Sequence, residues 1–354
     1  MTASTYDQKD TFFSNLSDPI IAAVERLVSE EGASSEKVEK FLEHIVSEGA
    51  PSLAENLKSG APEMLSEEHQ QTSSFKTRHL ERWETPLRLL KVMRRSAQEA
   101  GEAHARSGVP DGVEPLVFDT LCILHPKALL ITNEIICLLE GGFADGALAR
   151  WRALHEVAVT AMFIASHDGA TAQDYRLSAV FSDFKAARKV NEYADRNQME
   201  PFSEAQIERM RRACDAAEEN AGRRLKTDMD WAKPALGLMA NQKATFFDLE
   251  KAVGMDHWRP RFRWACKHNH AGFTHPNALL GMSESTRLMH QIGPSDSGLA
   301  DPLHMTAISL LHMTNTFLLA GQHCVGRLVM IATLRCLSDE LGEAALDAQK
   351  TRPR

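Results

Sequence analysis

The chain has 354 residues, 43% of them hydrophobic and 25% charged, and a formal net charge of -8. That composition supplies a core for one large unit or two smaller ones, and the negative balance excludes a generally basic nucleic-acid coat while leaving room for a local basic patch. Six cysteines (Cys122, Cys137, Cys214, Cys266, Cys324 and Cys336) form no CxxC pair, and no basic stretch followed by an apolar one opens the chain, so a reduced, cytoplasmic protein without a signal peptide is expected.

Apolar residues recur at three and four, the helical period, and no segment alternates between Asn-Gly or Asp-Gly turns. The fold class expected is therefore all-α, a multi-helix bundle. DPIIAAVERLVSEEG reads as a short amphipathic helix from Asp18 to a stop at Gly32, and SSEKVEKFLEHIVSEG as another closed by Gly49. The charged segment from Pro62 to Arg106 reads as one long helix. Residues 104–115 are rich in Gly and Pro and hold a linker at 107–114. This divides the chain into an N-terminal helical region, 1–106, a core bundle, 115–338, and a small, charged tail, 339–354, expected to fray.

Two apolar stretches, LVFDTLCILHPKALLITNEIICLLEGG and GGFADGALARWRALHEVAVTAMFIA, flank a short turn at Gly141–Gly142 and read as antiparallel neighbours at the bundle's centre. Asn133 and Glu134 lie as far before that turn as Arg150 and Arg152 lie after it, so their polar groups meet at one level. Arg152 and Glu156, four apart, share a face. A buried charge costs several kcal/mol unless paired. Two readings follow: an Arg152–Glu134–Glu156 ion network that fixes register, or a polar pocket in which His155 moves protons.

GFADGALARWRALHEVAV resembles the signature of a bacterial family catalogued as domain of unknown function 5677, through Gly142, Ala147, Arg152 and Glu156, and then His275 in HNHAGFTHPN. The resemblance covers roughly residues 115–335 and implies that His275 faces Arg152 and Glu156. Arg150-x-x-x-x-His155 is also similar to the pattern of the HEPN ribonucleases, helical bundles of bacterial toxin and phage-defence systems. That resemblance implies RNA cleavage without metal, by an Arg and a His of each subunit meeting across a homodimer. On a regular helix the two positions are about 140° apart.

In DHWRPRFRWACKHNHAGFTHPN, Arg259, Arg263 and Lys267 recur every four residues, with Trp258, Phe262 and Trp264 between them. Guanidinium groups bind phosphate and aromatic rings stack on bases, so this pattern suits single-stranded nucleic acid or a nucleotide. An amphipathic helix with a solvated basic face has the same composition. His268, His270 and His275 raise the question of zinc, but they lack helical ligand spacing and read as loop histidines, His275 completing the pocket with His270 in support. No metal and no cofactor is expected.

PLHMTAISLLHMTNTFLLAGQHCVG is long enough for a membrane span, yet His304, His312, Asn315, Gln322 and His323 interrupt it and Arg327 follows. A buried core helix and no membrane contact are expected. Signatures of P-loop, dinucleotide, serine-hydrolase and zinc-protease enzymes are missing. The leading expectation is a metal-independent ribonuclease or nucleotide-acting protein. Its catalytic set would be Arg150, Arg152, His155, Glu156 and His275, supported by Asn133, Glu134 and His270, with Arg259, Arg263 and Lys267 guiding the strand. The alternative is a non-catalytic scaffold or regulator that binds a protein partner through its N-terminal helices.

Overall fold

The computed structural model describes residues 11–29, 32–223, 225, 228–239, 241–286, 290–321 and 324–351. Among them are ten α-helices and no strand, as the helical periodicity requires. The chain forms two compact units, Met1–Phe75 and Lys76–Arg354. The division falls inside the second helix rather than at the linker expected over 107–114.

The first unit holds α1 (Thr11–Ser29) and the beginning of α2 (Ser35–Arg106). Gly49 does not end a helix. It keeps helical backbone, whereas Gly32 takes the left-handed conformation (φ 61°) that terminates one. α2 therefore runs on through Gly60 and Pro62, and the separate short helix expected over 34–49 is part of it.

In the second unit α2 buries Trp83, Leu87, Leu90, Met93 and Ala97. Nearly uniformly apolar sequence makes α3 (Pro115–Glu140) and α4 (Ala144–Ala165) the centre of this unit, and Gly142, at φ 79°, allows the tight reversal between them. Ser295 fixes that turn by donating its backbone N–H to the Gly142 carbonyl at 2.9 Å. α4 packs against α3, α9 (Ala300–Leu318), α7 (Phe246–Ala252) and α8 (Arg259–Lys267). α10 (Val325–Lys350) lies on α9, and α5 (Gly169–Asn197) pairs with α6 (Glu204–Ala221). The Ser203–Gln206 capping box starts α6, and Asn191 bonds both the N–H and the carbonyl of Phe202 beside it.

The tail expected to fray is helical instead. Residues 339–350 continue α10, with Leu341, Ala345 and Ala348 buried. Their small side chains serve close approach: a Cβ on Gly342 would lie 2.8 Å from His304 Nε2. The same end is tied to α2, because the buried Arg82 guanidinium donates to the Ala348 and Gln349 carbonyls and to Glu284 and Asp296.

The apolar run expected from Pro302 is also divided, into α9 and α10. Gln322 and His323 lie outside the described residues. By length and composition one described helix, α3, could cross a membrane; part of it is buried against its neighbours. All six cysteines are free, and Cys137, Cys324 and Cys336 are exposed.

Candidate functional site

The α3–α4 hairpin does bring opposite charges together at one level, with Arg152 and Glu156 paired as expected but Glu134 on a different arginine. Glu134 pairs with Arg150, while Arg152 donates to Glu156 on its own helix at 2.9 Å. All four side chains are partly exposed, so no Arg152–Glu134–Glu156 network is sealed inside the bundle. Asn133 is exposed and lines a different depression. Arg152 lies over the Phe262 ring at 5.0 Å, and its Nε is buried without a hydrogen-bond partner. Arg150, Arg152 and Glu156 share a shallow depression with Asn269, not with His275.

His155 takes the inner face of α4, where it stacks on Trp151 with ring centroids 5.2 Å apart. It is 1% exposed. Its Nε2 lies 3.1 Å from Glu250 Oε1, and Glu250 Oε2 accepts from Arg259 Nη1 at 2.8 Å. Arg259 is held between Phe247 and Phe262, at 5.1 and 5.0 Å. This His155–Glu250–Arg259 relay joins α4 to α7 and α8. Arg150 faces the hairpin surface and His155 the core, so the Arg-x-x-x-x-His pattern assembles no catalytic pair within the chain. Next to the relay, burial, and then the nearby His155 and His257 rings, lower the pKa of His312.

Glu250 escaped the sequence reading. Its signal lies in ATFFDLEKAVG: Phe246, Leu249, Glu250 and Val253 fall at i, i+3, i+4 and i+7, which sets a carboxylate on an apolar face.

The Arg259–Arg263–Lys267 ridge does not form, because Arg259 turns inward to Glu250. Arg263 and Lys267 are exposed. Lys267 instead lines a recess of about 380 Å³ with Arg261, Trp264, His268, Phe273 and His275, floored by Leu148 and Met305. Trp264 is half exposed and Phe273 is 95% exposed. Among the described residues, neither Arg261 nor Lys267 has an ion-pair partner; Arg261 rests on the Trp258 ring.

Asp145, in the first turn of α4, organises one wall of the recess. Its Oδ1 and Oδ2 accept from the backbone N–H groups of Leu280 and Gly281 at 2.8 and 3.0 Å, and its Oδ1 lies 3.3 Å from His268 Nδ1. The carboxylate therefore favours a proton on Nδ1 and leaves the Nε2 lone pair available. His275 is exposed and accepts from Asn277 N–H through Nδ1 at 3.3 Å. His270 is exposed on the loop between them. No group of three His, Cys, Asp or Glu side chains with metal-binding geometry occurs among the described residues. His268 has the Asp145 carboxylate as its neighbour.

The class so defined is an all-α protein with a buried helical hairpin and a cationic, aromatic recess beside it. Residues 118–287 match the model of a family of unknown function, DUF5677. The match runs from α3 through α8 and takes in most of the recess. Neither a curated protein nor a solved structure is significantly similar to the chain.

Proposed function

We propose that the protein binds single-stranded RNA or a nucleotide in the recess beside α8 and that His268 promotes phosphoryl transfer there. The observation that carries this reading is the convergence of two cations without ion-pair partners and two exposed aromatic rings on one concave site. Arg261 and Lys267 hold phosphate, and Trp264 or Phe273 stacks on a base, an interaction worth about 1–3 kcal/mol. Asp301, which also lines the recess, offers an acceptor to a ribose hydroxyl. The net charge of -8 does not oppose this. Residues 1–75 contain 14 Asp and Glu against 5 Lys and Arg, which leaves 34 against 35 in residues 76–354.

His155 is too deeply buried to meet a substrate, so the acid–base role passes to His268. With Nδ1 directed at Asp145, His268 Nε2 takes the proton of a ribose 2′-hydroxyl. The 2′-oxygen bonds to phosphorus and the bond to the 5′-oxygen breaks. The leaving oxygen takes a proton from solvent, and His268 returns its own to solvent. Arg261, Lys267 and the Nε2–H of His275 offset the charge that develops on the phosphoryl oxygens.

The test uses a labelled DNA strand containing one ribonucleotide. The wild-type protein should bind it, more weakly in added salt, and cut it at the ribonucleotide to leave a 2′,3′-cyclic phosphate. Arg261→Ala with Lys267→Ala should weaken binding about tenfold or more. His268→Ala should keep the affinity and cut about 100-fold more slowly, with added imidazole restoring part of the rate. Binding without cutting would remove the catalytic role and leave the binding site; absence of binding would overturn the whole reading.

A further inference from the structure

The geometry points to a docking groove on the first unit for a basic amphipathic helix of a partner protein. Among the residues from 18 to 75 whose burial is described, none is buried. Helices draw most of their stability from packing an apolar face, so this unit has an apolar surface left to cover. Ile21, Val28, Leu42, Val46, Leu57 and Met64 are all exposed, Val46 by 68%.

Part of this surface gathers where α1 ends and α2 begins. Val28, Val38, Leu42 and Val46 floor an open groove of about 790 Å³. Val38, Leu42 and Val46 follow one another at four-residue steps along α2, the repeat an amphipathic helix presents when it lies in a groove. The lining stretch of α2, Ser35 to Ser47, spans about 20 Å at the helical rise, room for three or four turns of a partner helix.

Charge selects the occupant. Glu39 and Glu43 rim the groove, and neither has a cationic partner among the described residues. With 14 Asp and Glu against 5 Lys and Arg over residues 1–75, the unit repels a second copy of itself and an anionic membrane surface alike. It attracts a helix with leucine-type side chains on one face and lysine or arginine on the other. Apolar burial then supplies affinity, and the acidic rim sets orientation and specificity.

The probes are two labelled 18-residue peptides with leucines at i, i+3, i+4 and i+7, one filled with lysine and one with glutamate, titrated against the full chain. The lysine peptide should bind at least about tenfold more tightly than the glutamate peptide, by an amount that shrinks in salt. Leu42→Asp with Val46→Asp should abolish that binding without moving the melting temperature, because both side chains are exposed. Glu39→Lys with Glu43→Lys should reduce or reverse the preference. Equal affinity for the two peptides would overturn the proposal, as would binding that survives Leu42→Asp with Val46→Asp. So would light scattering that shows a dimer dissociated by those same substitutions, since a second copy would then fill the groove.

Discussion

Glu250→Ala should be the most damaging single substitution in the second unit, lowering stability by about 3–5 kcal/mol, the cost of breaking a buried ion pair from one side. The carboxylate is fully buried and serves two partners, His155 Nε2 and Arg259 Nη1. Arg259 is 29% exposed and can turn toward water when the carboxylate is removed. His155 cannot. Its Nδ1 already lacks a hydrogen-bond partner, so losing Glu250 leaves both ring nitrogens unsatisfied inside an aromatic cage of Trp151, Phe246 and Phe262. Glu250→Gln keeps the shape and an acceptor for His155 and should cost about half as much. Urea unfolding of the three proteins measures the difference; a loss below about 1 kcal/mol for Glu250→Ala would show that the relay does not hold α7 and α8 in place. Because the relay anchors α8, and α8 carries Arg261, Trp264 and Lys267, the alanine variant should also weaken the binding proposed for the recess.

The hairpin was readable because its evidence is local. Two apolar helices and a two-glycine turn fix an antiparallel pair, and equal distance from the turn matches Glu134 with Arg150. The depth of each residue was not readable from that spacing. Trp151 and His155 occupy the inner face of α4 and the arginines are carried outward, so of Arg150, Arg152, His155 and Glu156 only His155 is buried. The partner of His155 is 95 positions away and that of His268 is in α4, at Asp145. No helical period links such pairs; tertiary packing makes them.

The basic helix shows the same limit. Its four-residue repeat was real, but α8 begins at Arg259, where the side chain turns in to Glu250, and the exposed charge passes to Arg261, Arg263 and Lys267. Glycine and proline misled at both ends of the chain. Gly49 and Pro62 lie within α2, and the small residues after Ser338 are where α10 is buried against its neighbours rather than where it frays.

Acid should destabilise the second unit through His125 before general carboxylate protonation takes over. Burial is the main cause that lowers the pKa of His125 from 6.5 to about 4, and the nearby His104 ring adds to it. The ring lies against Phe317, with Nε2 3.3 Å from the Thr314 hydroxyl and so little room that a Cβ on Gly101 would come within 2.3 Å. Below pH 6.5 the unfolded chain binds a proton here that the folded chain refuses, so the unfolded state gains stability as the pH falls. The contribution of His125 is fully present above pH 6.5 and is lost progressively down to about pH 4, where a shift of this size amounts to about 3 kcal/mol. His104, its own pKa lowered by burial and then by Arg327, acts in the same direction. Two other charged groups nearby, Asp119 on the same helix and Glu102 on the facing one, are common to both proteins, so the decisive quantity is a difference between them. His125→Gln removes the titrating group and keeps a polar atom for Thr314. Its stability should be lower than that of the wild type at pH 7.5, and the gap should narrow steadily as the pH falls from 6.5 to 4.5. Urea midpoints at four pH values suffice to measure it; parallel slopes in the two proteins would mean that His125 takes up its proton as easily in the folded chain as in the unfolded one.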